Sequence, residues 1–129
     1  MAEKKPISIA SRKNKGRSLQ KWTCEQISDL LGIPWGSDDD SEITPRPMSQ
    51  NGPDVILSKR VRELFPYTIE CKNQESWSLL PYIKQVKDSL YTETDWIIVL
   101  KKNKIKPLII IDAEVFFKIL AKTINIDRS

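Results

Sequence analysis

Two short stretches carry side chains that could do chemistry together: Gly52-Pro53-Asp54 and Ile69-Glu70-Cys71-Lys72. On a β-strand, residues i and i+2 point to the same face. Glu70 and Lys72 therefore share one face, and Ile69 and Cys71 take the other. A neighbouring strand that starts at Asp54 can bring its carboxylate to the same spot. Two carboxylates with the Cys71 backbone carbonyl make a hard, oxygen-rich site suited to Mg²⁺, with Mn²⁺ able to substitute. A nearby ammonium can orient or help deprotonate a water that attacks a phosphodiester. The plain alternative is an exposed Glu70–Lys72 charge pair. Acidic-x-Lys alone is weak, since Glu3-Lys4-Lys5 matches it too.

The chain contains no histidine. That excludes His-containing nucleophilic triads, zinc sites with His ligands and His-dependent one-metal nucleases. Any hydrolysis must draw on carboxylates, lysine and a hard metal ion.

The elements that would position these groups follow from the apolar spacing. Leu19, Trp22, Ile27, Leu30 and Leu31 predict a helix with Ser18 as N-cap and Gly32 at its C-terminal end. Residues 36–53, rich in Asp, Ser, Pro and Gly, predict a long loop with a short strand near its middle. Strands are expected at 54–58 and 67–72, with a basic turn or short helix over Lys59, Arg60 and Arg62 between them. Trp77, Leu80, Ile83, Val86 and Leu90 predict a second helix, capped by Ser78, with Pro81 in its first turn. Strands at 95–101 and 107–112 are apolar enough to be buried on both faces. A closing helix follows at 113–121. This order makes an α/β domain with helices on both faces of a mixed sheet.

The 129 residues, 40% hydrophobic and 29% charged, suit one soluble globular domain. No apolar run approaches the ~20 residues of a membrane helix, so no membrane partner is expected. A basic, polar N-terminus without an apolar core predicts no secretory signal. Cys24 and Cys71 then point to a reducing, cytoplasmic setting without a disulfide. Residues 1–21 carry seven of the Lys and Arg residues against Glu3 alone, a charge of +6. The chain total is +4, so the remainder sums to −2. The positive charge is thus an N-terminal feature, read as a flexible basic arm over 1–16. The folded domain is read as 17–122 and a tail as 123–129. Such an arm can neutralise the phosphates of nucleic acid; a solvated tail is its plain alternative.

Pro53-Asp54 followed by Glu70-Cys71-Lys72 resembles the PD-(D/E)xK nuclease superfamily. The pattern is similar to small archaeal-type and phage Holliday junction resolvases in particular. That likeness includes Lys15-Gly16-Arg17 leading into the first helix, a loop carrying Ser49 before Gly52-Pro53-Asp54, and polar Asn73-Gln74 after Lys72. It runs from about Lys15 to Leu120. The resemblance implies a restriction-endonuclease-like core, Mg²⁺ held by Asp54 and Glu70, and Lys72 assisting the attacking water. It also implies a homodimer that places two active sites on one branched DNA. These resolvases usually carry Glu four residues after the helix-leading Gly; this chain has Gln20, which can hold a water but adds no negative charge. Glu25 is five residues further, about 140° around a helix step for step, and should face elsewhere. A compact format of this kind suits a phage-encoded or stand-alone recombination enzyme.

Lys13, Lys15 and Arg17 in the basic segment, and Arg46 and Ser49 in the loop, are the candidate DNA contacts. Gln85 could reach the site, although an exposed helix position explains it more simply. Asp38, Asp39, Asp40 and Glu42 lack the spacing of a calcium loop and read as a solvated acidic turn. Trp22, Trp77 and Trp96 fall at apolar positions and are expected in the core, whereas Trp35 is expected at the surface. Two competing readings remain. One is a sequence-specific endonuclease of restriction or homing type. The other is a nuclease-like fold kept as a non-catalytic nucleic-acid-binding module.

Overall fold

The computed structural model describes residues 9–128. They form α1 (Ile9–Leu31), β1 (Ile43–Pro45), β2 (Val55–Leu57), α2 (Lys59–Leu64), β3 (Tyr67–Asn73), α3 (Leu79–Asp88), β4 (Asp95–Lys101), β5 (Leu108–Ile111) and α4 (Ala113–Arg128). The class is mixed α/β. A three-stranded sheet has the order β3-β4-β5, with β3 parallel to β4 and β4 antiparallel to β5. β1 and β2 form a separate antiparallel pair.

β4 explains the layering. Its side chains alternate between two cores, as strand geometry demands. Ile97 and Val99 pack with Leu19, Cys24 and Ile27 of α1, with Ile43, Val55 and Leu57, and with Ile69 and Cys71. Ile98 and Leu100 pack on the other side with Tyr82 and Val86 of α3. Helices therefore cover both faces of the sheet. The parallel β3–β4 pair requires a crossover, and α3 supplies it. The register sets Glu70 opposite Ile98 and Lys72 opposite Leu100, so both charged residues lie on the α3 face.

Several expectations need correction. α1 starts at Ile9, not at Ser18, which lies exposed within it. Residues 9–16 are therefore helical rather than a flexible arm. Lys4 and Lys5 lie outside the described residues. A single glycine, Gly16, costs a helix only about 1 kcal/mol relative to Ala, and here the helix runs through it. α4 likewise continues to Arg128, through most of the expected 123–129 tail. β4 is buried as expected, but β5 is not: Leu108 and Ile109 are exposed and Ile110 and Ile111 half-buried. Trp22 is 38% exposed, and Trp35 packs against the core, the reverse of the expected placement. Ser78 sits at the α3 N-cap position but its hydroxyl makes no cap bond, whereas Ser58 caps α2 by accepting from the Val61 N–H at 3.2 Å. Gly32 closes α1 with φ at +69°, a left-handed conformation that suits glycine, and its N–H reaches the Ser28 carbonyl at 2.8 Å.

Candidate active site

Asp54 is where the two sheets meet. Its N–H donates to the Ile69 carbonyl at 3.1 Å, and its own carbonyl accepts from Arg46 N–H at 2.9 Å. Its carboxylate is equally committed. Oδ2 accepts from the Cys71 N–H at 2.7 Å, and Oδ1 accepts from Arg46 Nη2 at 3.0 Å. One residue thus joins the β1–β2 ribbon to the free edge of β3. The Cys71 N–H faces Asp54, so its carbonyl, which shares that side of the strand, also faces away from β4.

Glu70 is 2% exposed. Burial, then the charge of Asp54 and a hydrogen bond to it, push its carboxyl up to about 8; Lys72 and Arg46 oppose the shift. Near neutral pH Glu70 therefore favours its protonated form, the expected direction for a carboxyl held out of water beside a second acid. Lys72 Nζ lies 3.7 Å from Glu70 Oε1, too far for a hydrogen bond. Its ammonium also lies over the Tyr82 ring, 5.1 Å from the centroid. The Tyr82 hydroxyl donates to Gln74 Oε1 at 2.8 Å. Tyr82 thus carries the α3 wall of the site and fixes the far side of Lys72.

A cleft of about 580 Å³ opens over these residues. Asp54, Glu70 and Lys72 form its floor, and Arg12, Lys15, Gly16 and Gln20 form one wall. Arg12, Gly16 and Gln20 recur at every fourth position, which is one face of α1. The same face continues into the core through Thr23, Cys24 and Ile27. Asn73 Nδ2 donates to the Lys15 carbonyl at 3.1 Å and ties this wall to β3. Gln85 lines the opposite wall.

The expected DNA contacts divide. Lys15 and Arg46 line the cleft; Lys13 and Ser49 are exposed and do not. Arg17 instead donates to the Arg46 carbonyl at 3.2 Å and so supports the loop. Glu25 is exposed away from the cleft, as expected. Glu42 leaves the acidic turn to accept from Arg60 Nε at 2.8 Å and from the Ser58 hydroxyl at 3.1 Å. Sequence reasoning missed Arg12, Tyr82 and the pairing of Arg46 with Asp54. The signal for Arg46 was its setting between Pro45 and Pro47, which stiffens the backbone on either side.

Among the described residues no group of three or more His, Cys, Asp or Glu side chains is placed to hold a metal ion. The oxygen set here is smaller: two carboxylates and one carbonyl. Its chemistry fits a hard divalent cation, because two carboxyl groups buried side by side are a pair whose repulsion a cation can relieve. Arg46 supplies that relief in its place and would have to yield Asp54 Oδ1. Cys24 is pushed up to about 12 and Cys71 well above the thiol range, chiefly by burial. Neither supplies a thiolate nucleophile. No protein-family model matches the chain, and comparison with curated proteins and with solved structures found no match.

Proposed function

We propose that the cleft is the active site of a divalent-metal-dependent endonuclease that hydrolyses phosphodiester bonds in DNA, on a restriction-endonuclease-like core. The observation that carries this reading is the convergence of Asp54, immediately before β2, with Glu70 and Lys72 of β3, under a wall bearing Arg12, Lys15 and Arg46. Asp54, Glu70 and the Cys71 carbonyl would hold Mg²⁺ or Mn²⁺. The bound ion supplies stabilisation of the charge that develops on the phosphate. Arg12, Lys15 and Arg46 hold the substrate phosphates. Lys72 orients the attacking water and its ammonium stabilises negative charge developing on it, and Gln20 offers a further oxygen to the water network. Branched DNA is the proposed substrate and a homodimer the proposed working form, since two sites acting on one junction can cut two strands symmetrically. The two free, buried cysteines support a reducing, intracellular setting.

One observation favours a second reading. Arg46 already neutralises Asp54, which a non-catalytic nucleic-acid-binding module would retain permanently.

The test is cleavage of a labelled four-way junction beside a linear duplex of the same sequence, in Mg²⁺, in EDTA and with Asp54→Ala. Metal-dependent cutting of the junction alone, lost in the variant, is the expected result. Cutting of both substrates would keep the nuclease and remove junction selectivity. Binding of the junction without cutting, by protein loaded with metal, would select the second reading.

A further inference from the structure

We propose that the turn between β4 and β5 is a second nucleic-acid contact, which grips the phosphate backbone beside the cleft through Lys102, Lys104 and Lys106. The inference rests on the reading of the cleft as a DNA site and adds a new element to it.

Net positive charge is concentrated in two stretches of the chain. Residues 9–24 hold Arg12, Lys13, Lys15, Arg17 and Lys21 and no acid. Residues 96–111 hold Lys101, Lys102, Lys104 and Lys106 and no acid. The stretches carry +5 and +4 against a chain total of +4, so everything else sums to −5. Far apart in sequence, they meet in space at the end of β3. Asn73 Nδ2 donates to the Lys15 carbonyl at 3.1 Å. The next residue, Gln74, donates its N–H to the Lys101 carbonyl at 3.0 Å. The end of β3 is thus held between one basic element and the other. Asn73 and Gln74 both line the cleft, so the turn stands at its rim.

The turn is anchored by its backbone and leaves its ammonium groups uncommitted. Trp77 Nε1 donates to the Lys101 carbonyl at 3.3 Å, and the Asn103 N–H donates to Glu75 Oε2 at 3.2 Å. Lys101 serves the turn itself, its Nζ donating to the Lys102 carbonyl at 3.2 Å. Lys102 lies over the Trp77 ring, 5.1 Å from the centroid, a contact that leaves its charge unneutralised. Lys104 and Lys106 are exposed and Lys102 is half-buried. None of the three is in an ion pair among the described residues. The basic residues of α2 differ: Arg60 pairs with Glu42, and Arg62 bonds the Leu57 carbonyl. Those cations serve the fold; gathering like charges without counter-charges opposes it.

Lys104 adds a backbone argument. Its φ is +67°, a left-handed conformation that glycine or asparagine tolerates better than lysine. A lysine at such a position, with no acid to meet, points to a function outside the fold. The occupant that suits both basic elements at once is a chain of regularly spaced negative charges. A DNA strand that crosses the cleft would set one phosphate over Asp54 and Glu70, with its neighbours against α1 on one side and the turn on the other. Lysine contacts of this kind position the strand and read no sequence.

The test is binding of a labelled four-way junction and of a linear duplex, by fluorescence anisotropy in EDTA from about 50 to 300 mM KCl. Removing three charges together, with Lys102→Gln, Lys104→Asn and Lys106→Gln, should weaken both substrates roughly 10-fold or more and reduce the slope of log affinity against log salt by about 2–3. Lys118→Gln with Lys122→Gln, exposed lysines on α4, should leave both unchanged. Lys104→Asn alone should bind more weakly yet melt no lower than the wild type, which a purely structural role would not produce. Should the triple variant fail to fold by circular dichroism, Lys104→Asn decides. Unchanged affinity and slope in the turn variants overturn the proposal; if Lys15→Gln weakens binding in the same assay, the cleft reading survives that result. Equal losses in the turn and α4 variants also overturn it, because net charge alone would then explain them. A wild type that binds phosphatidylserine vesicles through these lysines and leaves both DNAs free overturns this proposal and the cleft reading together.

Discussion

Arg46 Nη2 and Asp54 Oδ1 lie 3.0 Å apart, with Arg46 25% and Asp54 5% exposed at the side chain. The guanidinium thus occupies one oxygen of a carboxylate that the proposed function assigns to a divalent cation. Arg46→Ala should remove the guanidinium and leave a buried carboxylate uncompensated, at a cost of roughly 3 kcal/mol. Mn²⁺ should then recover more stability in the variant than in the wild type, because the ion no longer competes with the side chain. Differential scanning calorimetry with and without Mn²⁺ reads both effects. Equal shifts in the two proteins would mean that Arg46 and the metal do not share a ligand.

Glu70 makes stability depend on pH in a defined direction. Its carboxyl is raised from 4.5 to about 8, so the folded state holds a proton that the unfolded state has released over that range. Linkage then makes unfolding easier as pH rises. The stability tied to this proton is complete below 4.5 and is lost as pH climbs through about 8. Glu70→Gln should flatten the slope and melt higher than the wild type at pH 8. Urea titrations at four or five pH values would show it. The same proton must leave when a cation binds, so Mn²⁺ affinity, followed by calorimetry, should strengthen between pH 6 and pH 8.

Lys72 is expected to act on the reaction and not on the fold. Lys72→Met should lower single-turnover cleavage by roughly 10²–10⁴, with junction affinity and Mn²⁺ affinity little changed. Tyr82→Phe keeps the ring under the ammonium and should retain most activity, whereas Tyr82→Leu removes it and should fall between wild type and Lys72→Met. Loss of junction binding in Lys72→Met, in step with cleavage, would reassign the lysine to phosphate contact.

Gly16 tests the length of α1. A Cβ built there meets nothing within 4 Å, and the residue lies inside a helix. Gly16→Ala should therefore stabilise the protein by about 0.5–1 kcal/mol. A destabilised variant would mean that residues 9–16 do not hold the helix in solution.

The central strands were legible because their apolar runs are long and β-branched: Asp95–Lys101 is β4 residue for residue. The pairing of Glu70 with Lys72 followed from strand alternation alone. What alternation could not supply was the third dimension of the site. The Asp54–Cys71 bond spans seventeen positions and the Lys72–Tyr82 contact crosses from strand to helix, so no local period encodes either. The basic N-terminal segment misled for another reason. Its charge and Gly16 read as an arm, yet Arg12, Gly16 and Gln20 lie on one helical face, and the tie from Asn73 to Lys15 holds that face at the cleft. Trp22 and β5 misled because apolar spacing reports an apolar face without saying what covers it.

The Cys71 N–H has an unusual partner for a strand amide: a carboxylate oxygen at 2.7 Å instead of a carbonyl. A proton in so short a charge-assisted bond resonates at low field and follows the charge on its acceptor. In a ¹⁵N-labelled sample this one amide is a native gauge of Asp54. Its resonance should move as the Glu70 proton leaves, and move again when a cation arrives. Site occupancy could thus be read directly, with no DNA present and no bond cut.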